Sequence, residues 1–258
     1  YEVDDDLDYP AYITLRGEQK GRTEDSKGVI FKLVSNVTNL LASTNTTDDW
    51  GQQYHNTIED IDFDANGYTG NALKLVGCTR LTLRQIRATG FTTGLNLRKC
   101  HFTTIDDVIT SNHAGGTLYT QSCGNYMYLG ENSLVTNLTG GTSGSGHELF
   151  LDVCTLSVFN NLRFNSAKEY AIYLNGVEKC TFIRPQANDC EKHGMFGNMT
   201  NCTMLGGQFW DNGKAAANTY DGFRLYDGKY NTIIGPLTYD SQTPKTQRYG
   251  ISEGGNAD

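Results

Sequence analysis

Apolar positions along this chain recur in short alternating runs and not at the spacing of a helix face. A residue, usually small, followed by apolar-x-apolar appears as Ala72-Leu73-Lys74-Leu75, Gly94-Leu95-Asn96-Leu97, Glu148-Leu149-Phe150-Leu151, Ala171-Ile172-Tyr173-Leu174 and Gly222-Phe223-Arg224-Leu225, with looser copies at Gly194-Met195-Phe196 and Gly250-Ile251. The period of two is that of a strand with one buried face. Copies beginning at 72 and 94, and at 171 and 194, lie 22 and 23 residues apart. That interval reads as one turn of a coil, and the larger gaps as coils carrying loops.

A second column lags the first by about ten residues and reads apolar-x-x-apolar. Its copies are Ile58 to Ile61, Leu83 to Ile86, Ile105 to Val108, Phe159 to Leu162 and Ile234 to Leu237, with weaker ones at Ile183 to Gln186 and Leu205 to Gln208. Two apolar residues around two polar or turn residues describe a strand, a bend and a second strand. A missing copy is expected between Tyr128 and Leu134, ahead of the Gly/Ser-rich stretch Gly140 to Gly146, which reads as an inserted loop.

Cysteine marks a third column: Cys78, Cys100, Cys123, Cys154, Cys180 and Cys202 each follow a first strand by a few residues, while Cys190 stands outside the register. Stacked about 4.8 Å apart in neighbouring coils, they would form an internal ladder of small side chains, favoured as buried free thiols since seven is an odd number, with disulfides as the rival reading. No pair has the C-x-x-C spacing of a zinc site, so no metal is expected. Asn112, Asn165, Asn188 and Asn212 fall near coil corners. Together these columns predict an all-β parallel β-helix, a solenoid of about nine to ten coils roughly 45 Å long.

Composition narrows the functional classes. The 258 residues carry a formal charge of -8, 19% charged residues and 29 Gly. Such a chain is neither disordered nor helix-rich, and its charge opposes a phosphate backbone or an anionic bilayer, so neither nucleic acid nor membrane is expected as partner. No run approaches the length of a membrane span, and no dinucleotide, phosphate-loop or zinc-hydrolase motif occurs; no cofactor is expected. Residues 1–9, with Glu2, Asp4, Asp5, Asp6 and Asp8, read as a solvated acidic leader before a β-helix over 10–258. With a start at Tyr1 and an end at Asp258 straight after a strand-like segment, the expectation is a piece of a longer chain.

The opening Pro10-Ala11-Tyr12-Ile13-Thr14-Leu15-Arg16-Gly17-Glu18, the run His55 to Asp64 and the coils of type Gly-Leu-x-Leu-x-x-Cys resemble right-handed, single-stranded parallel β-helices of the pectate-lyase-like superfamily. Low charge and irregular coils make them most similar to phage tailspike and tail-fibre receptor-binding proteins. The resemblance implies an extracellular or virion location, a homotrimer and a cell-surface polysaccharide as ligand. It is a pattern of fold, which does not by itself settle function. Polygalacturonases of the superfamily carry Asp-Asp followed by Gly-His-Gly; here Asp106-Asp107 and Gly146-His147-Glu148 match only in part. Asp106 and Asp107 fall at a bend, where Arg84 is expected to pair with them.

The outward residues of the first strand are expected to be Lys74, Asn96, Leu118, Phe150, Tyr173, Phe196 and Arg224. Consecutive Phe150, Tyr173 and Phe196 could face sugar rings, a neighbouring subunit or the inserted loop. Ligand-binding candidates are Phe150, Tyr173, Phe196, Arg224 and His147. Glycan cleavage needs carboxylates about 5 to 9.5 Å apart, or a base beside a carboxylate-bound cation for a lyase. Glu148, Asp152 and Glu169 are the candidates on the same surface, with Asp152 best placed to pair with Glu169 or Glu178 of the next coil. Three readings stay open: a receptor-binding domain that recognises polysaccharide, a depolymerase on the same scaffold, and a structural stalk.

Overall fold

The computed structural model describes residues 1–17, 29–44, 53–112, 116–118, 121–141, 144 and 146–254; Glu18 lies outside them, as do parts of the Gly140 to Gly146 stretch. Every element in these residues is a strand. They form a parallel β-solenoid of about eight turns, with a 15-stranded and an 11-stranded sheet as its main walls. In each wall, strands follow one another in coil order with parallel register, as in Leu73↔Leu95, Leu149↔Ile172, Ile172↔Met195 and Met195↔Phe223.

The coils are fewer than the nine to ten predicted because several exceed the 22-residue repeat. Leu7 pairs with Leu41 and Leu41 with Leu73, and the antiparallel hairpin of Gly116–Leu118 with Gln121–Leu129 enlarges another coil. The acidic N-terminal segment is not a separate leader. Glu2–Val3 and Leu7–Tyr9 pair with later strands, and Val3 and Tyr9 are core residues.

Bends are made by single residues in the left-handed region. In the second column these are Asp60, Gln85, Asp107, Asn137, Asn161 and Arg184, then Gly206 and Gly235, with φ between 51° and 67°. One such residue turns the chain while its N–H still reaches the next coil, as from Asn161 to Ile183 O and from Arg184 to Leu205 O. Asn, Asp and Gly tolerate this conformation best. The missing copy of this column is Val135-Thr136-Asn137-Leu138, a few residues later than expected, and Gly140 and Gly141 belong to its strand.

Three copies in this column sit one residue earlier than the sequence pattern suggests. Phe159 is in register with Phe182, Phe182 with Met204 and Met204 with Ile233, so Ile183, Leu205 and Ile234 point outward. Phe159 and Phe182 stack inside at 5.1 Å, and each fully buried aromatic contributes roughly 1.5–3 kcal/mol through lost water contact. Arg84 also differs from expectation: it ion-pairs with Glu59 at 2.7 Å, while Asp106 accepts a hydrogen bond from Asn137 Nδ2.

The thiol ladder forms with one correction. Cys78, Cys100, Cys154, Cys180 and Cys202 are free, buried, and each directs its thiol to the carbonyl two residues back. Cys123 is not in this column; it lies with Tyr126 and Phe150 in a separate apolar cluster. Burial pushes the Cys123 and Cys154 thiols up to about 12, so they stay protonated and inert.

Asn125 interrupts the inward apolar column where the hairpin enters. It is fully buried, accepts from Leu95 N at 3.1 Å, and donates to Thr110 Oγ1 at 2.8 Å and to Glu148 O at 3.1 Å. Asn125→Ala should cost about 2 kcal/mol in urea denaturation, because buried polar groups on three coils lose their partner. A loss below a few tenths would mean these groups find other partners.

Candidate functional site

The outer face of the 11-stranded sheet carries one continuous side-chain column, set by register: Lys74, Asn96, Tyr126, Phe150, Tyr173, Phe196, Arg224 and Ser252. Tyr126 occupies the position assigned from sequence to Leu118. Leu118 lies instead in the hairpin strand Gly116–Leu118, and its side chain is outside the described residues.

A second column runs three residues ahead of the first. His147, Tyr170, His193 and Asp221 precede Phe150, Tyr173, Phe196 and Arg224 by that interval. The rings interlock: His147 stacks on Tyr170 at 5.0 Å, Tyr170 meets Phe196 at 4.6 Å, and His193 stacks on Phe196 at 5.1 Å. Tyr173 bridges Phe150 at 4.9 Å and Phe196 at 5.9 Å. The sequence holds the signal for this column, since 147, 170 and 193 repeat at the same 23-residue interval as 150, 173 and 196.

Exposure along the face is graded. Tyr126 and Phe150 are buried, Tyr170, Tyr173, Phe196 and Tyr220 are half-buried, and Tyr226 is exposed. Phe150 is therefore a support for the face and not an open contact. Beside Phe196 the chain bulges at Gly197, whose φ is +136° and where a Cβ would meet Leu174 O at 1.9 Å. Only glycine fits there.

Polar groups border the rings in two separate networks. Asp152 accepts from Tyr126 Oη at 2.6 Å and from Asn175 Nδ2 at 2.8 Å. Glu169 accepts from Lys192 Nζ at 2.6 Å and lies 3.4 Å from His147 Nε2, with Lys192 over the Tyr170 ring. Tyr173 sits under both: burial, then the charges of Asp152 and Glu169, raise its phenol pKa, so it remains a hydroxyl donor. Burial lowers His147 to about 4, with Lys192 adding to the effect and Glu169 opposing it. His147 is thus a neutral, covered ring, not an open ligand contact.

Glu148 is not on this surface. It is fully buried, and its N–H donates to Tyr170 O. Of the three carboxylates singled out, Asp152 and Glu169 flank Tyr173 and Glu148 does not. His193 Nδ1 accepts from Asp221 N at 2.8 Å, which places the ring proton on Nε2. Asp221 is wholly buried and grips Arg248 with both oxygens at 3.0 Å. Its burial pushes the carboxyl pKa upward, but the bonds from Arg248 and Ser252 outweigh this and hold it below the usual range.

Among the described residues no group of three His, Cys, Asp or Glu side chains is placed to hold a metal ion. An apolar cavity of about 280 Å³ lies away from this face, lined by Leu7, Tyr9, Phe31, Leu40 and Phe63 among others.

No protein-family model and no curated protein sequence matches this chain. Solved structures do. The enzymatically active domain of tailspike protein 2 of bacteriophage CBA120 superposes with a TM-score of 0.59 at 11% identity, over 86% of this chain and 37% of that one. The A-module of the mannuronan C-5 epimerase AlgE4 of Azotobacter vinelandii gives 0.54 at 11% identity, over 98% of this chain and 85% of that one. The AlgE6 A-module gives 0.52 at 11% identity, over 100% and 88%. This chain spans little more than a third of the tailspike domain's length. It shares its parallel β-solenoid fold with phage tailspike proteins and β-helix enzymes, the class that its coil pattern resembles.

Proposed function

We propose that this chain is a polysaccharide-recognising β-helix domain of the tailspike type, working as a homotrimer in a virion or extracellular setting. The observation that carries the reading is the half-buried ring face of Tyr170, Tyr173 and Phe196, held rigid by stacking and bordered by hydrogen-bonding groups. Rings fixed in this way stack on the apolar faces of pyranoses at little entropic cost, while Tyr173, Asn175 and Lys192 address sugar hydroxyls. Rung spacing of about 4.8 Å lets a sugar chain follow the column. A trimer would multiply a weak single-site affinity.

The test is to incubate the domain, in its native oligomeric state, with bacterial capsular and cell-wall polysaccharides and to follow both retention and release of oligosaccharides. Retention is expected, and Tyr173→Ala or Phe196→Ala should weaken it about tenfold with the fold intact, as one lost stacking contact implies. Retention by the folded wild type that neither variant changes would move the site elsewhere.

A depolymerase on the same face is the second reading, favoured by Glu169, a half-exposed carboxylate beside a neutral histidine within the ring cluster. Release of reducing ends or unsaturated uronates would establish it. Glu169→Gln and Asp152→Asn should then suppress release more than retention.

A further inference from the structure

Arg224 is the one outward residue of the aromatic column that brings a full positive charge to its C-terminal half. It projects from the sheet between Phe196 on one rung and Ser252 on the next, and only 8% of it is exposed. Neighbouring cations are compensated: Lys192 faces Glu169 and Arg248 faces Asp221. Arg224 makes no ion pair or hydrogen bond among the described residues; Asp221 beneath it is committed to Arg248, Tyr249 N and Ser252. Its stem is covered while the guanidinium nitrogens still reach solvent, and a planar fork with no anion of its own is shaped for a carboxylate.

We infer that the glycan bound on this face is acidic, and that Arg224 takes the carboxylate of a uronic-acid-type sugar whose ring stacks on Phe196. This rests on the polysaccharide-binding reading and adds the substrate class to it. The geometry is that of adjacent rungs: Phe196 and Arg224 are register partners, about 4.8 Å apart along the solenoid. A pyranose lying on Phe196 therefore directs an exocyclic carboxylate toward the guanidinium. Tyr226, 6.0 Å from Phe196, closes the far side of the same step. The formal charge of -8 works against a polyanion at long range. Selection must then come from this short, partly desolvated contact, where a charge-assisted bidentate bond is strongest.

The experiment compares oligomannuronate, oligogalacturonate and glucuronate-containing oligosaccharides with their carboxyl-reduced forms, which keep the ring and lose the charge, by titration calorimetry on the native oligomer. At least one acidic probe should bind, and its reduced form should bind ten- to a hundredfold more weakly. Arg224→Gln should weaken the acidic probe by a similar factor and leave the reduced form unchanged, while Arg224→Lys should recover part of the loss. Equal binding of acidic and reduced forms, or an acidic probe indifferent to Arg224→Gln in a variant with wild-type circular dichroism, would overturn the inference. Binding of neutral polysaccharides alone would also overturn it and leave the broader reading standing. Binding of no glycan by the folded oligomer would remove both.

Discussion

Acidification from pH 7 to pH 4 should cost the folded chain about 3 kcal/mol through His147 alone. Burial holds this ring down to about 4, against 6.5 for an unhindered histidine, and each unit of difference corresponds to about 1.4 kcal/mol. The sign follows from which state binds the proton more readily. Between 4 and 6.5 the unfolded chain carries a proton on His147 that the folded chain refuses. The stability is therefore complete above about 6.5 and drains away as pH falls toward 4. The measurement is taken as a difference, so that the other titrating groups of the chain cancel. Urea unfolding of wild type and His147→Phe should diverge in slope between pH 6.5 and 4, since Phe keeps the stack on Tyr170 and cannot titrate. Parallel pH profiles for the two proteins would show that the His147 environment is wetter than the geometry describes. A functional corollary is that glycan retention on Tyr170 and Tyr173 by the folded protein should hold down to about pH 4 and weaken only below it, where the ring takes up its proton inside the cluster it supports.

How much of this was legible in the sequence depends on which physical constraint wrote it. The fold class was, because a coil with two apolar columns imprints a 22- to 23-residue interval that nothing else in the chain produces. Register at single-residue precision was less so. At Phe182-Ile183-Arg184 and Met204-Leu205-Gly206, two adjacent apolar residues flank the bend, and only the left-handed residue decides which one points inward. Leu118 replaced Tyr126 in the sequence reading because a hairpin returning on itself supplies a second strand-like segment within one coil. Cys123 was misplaced for the same reason. At the site, Tyr173, Phe196 and Asp152 stand where the alternation put them. Glu148 does not, since alternation breaks at the entry of the strand His147–Asp152, where both first residues are buried. The His147, Tyr170 and His193 column was present as an interval but lies outside the strand runs that the alternation selects, so a search built on strand alternation passes over it.

Asp221→Ala should be the most damaging substitution near the site, at about 3 kcal/mol, the upper range for lost hydrogen bonds to a charged group, since the Arg248 left behind is partly exposed. Four groups converge on this carboxylate: Arg248 through Nε and an Nη atom, the N–H of Tyr249 at 3.2 Å, and Ser252 Oγ at 2.5 Å. All come from the segment that leads into the strand Ile251–Glu253, so the loss should be local before it is global. Amide exchange at residues 248–253 should accelerate first, with the rungs around Phe182 protected until the whole chain unfolds. Asp221→Asn, which keeps the shape and loses the charge, should fall between wild type and Asp221→Ala. A cost under 1 kcal/mol with unchanged exchange would show that backbone pairing alone, as in Phe223↔Ile251, holds that strand in place. The consequence reaches the binding face. Ser252 is the register partner that flanks Arg224, so a loosened strand releases one side of the packing that positions the guanidinium. Acidic-glycan affinity should then fall in Asp221→Ala even though Phe196 and Tyr173 are untouched, because a bidentate contact depends on how Arg224 is held as well as on its charge.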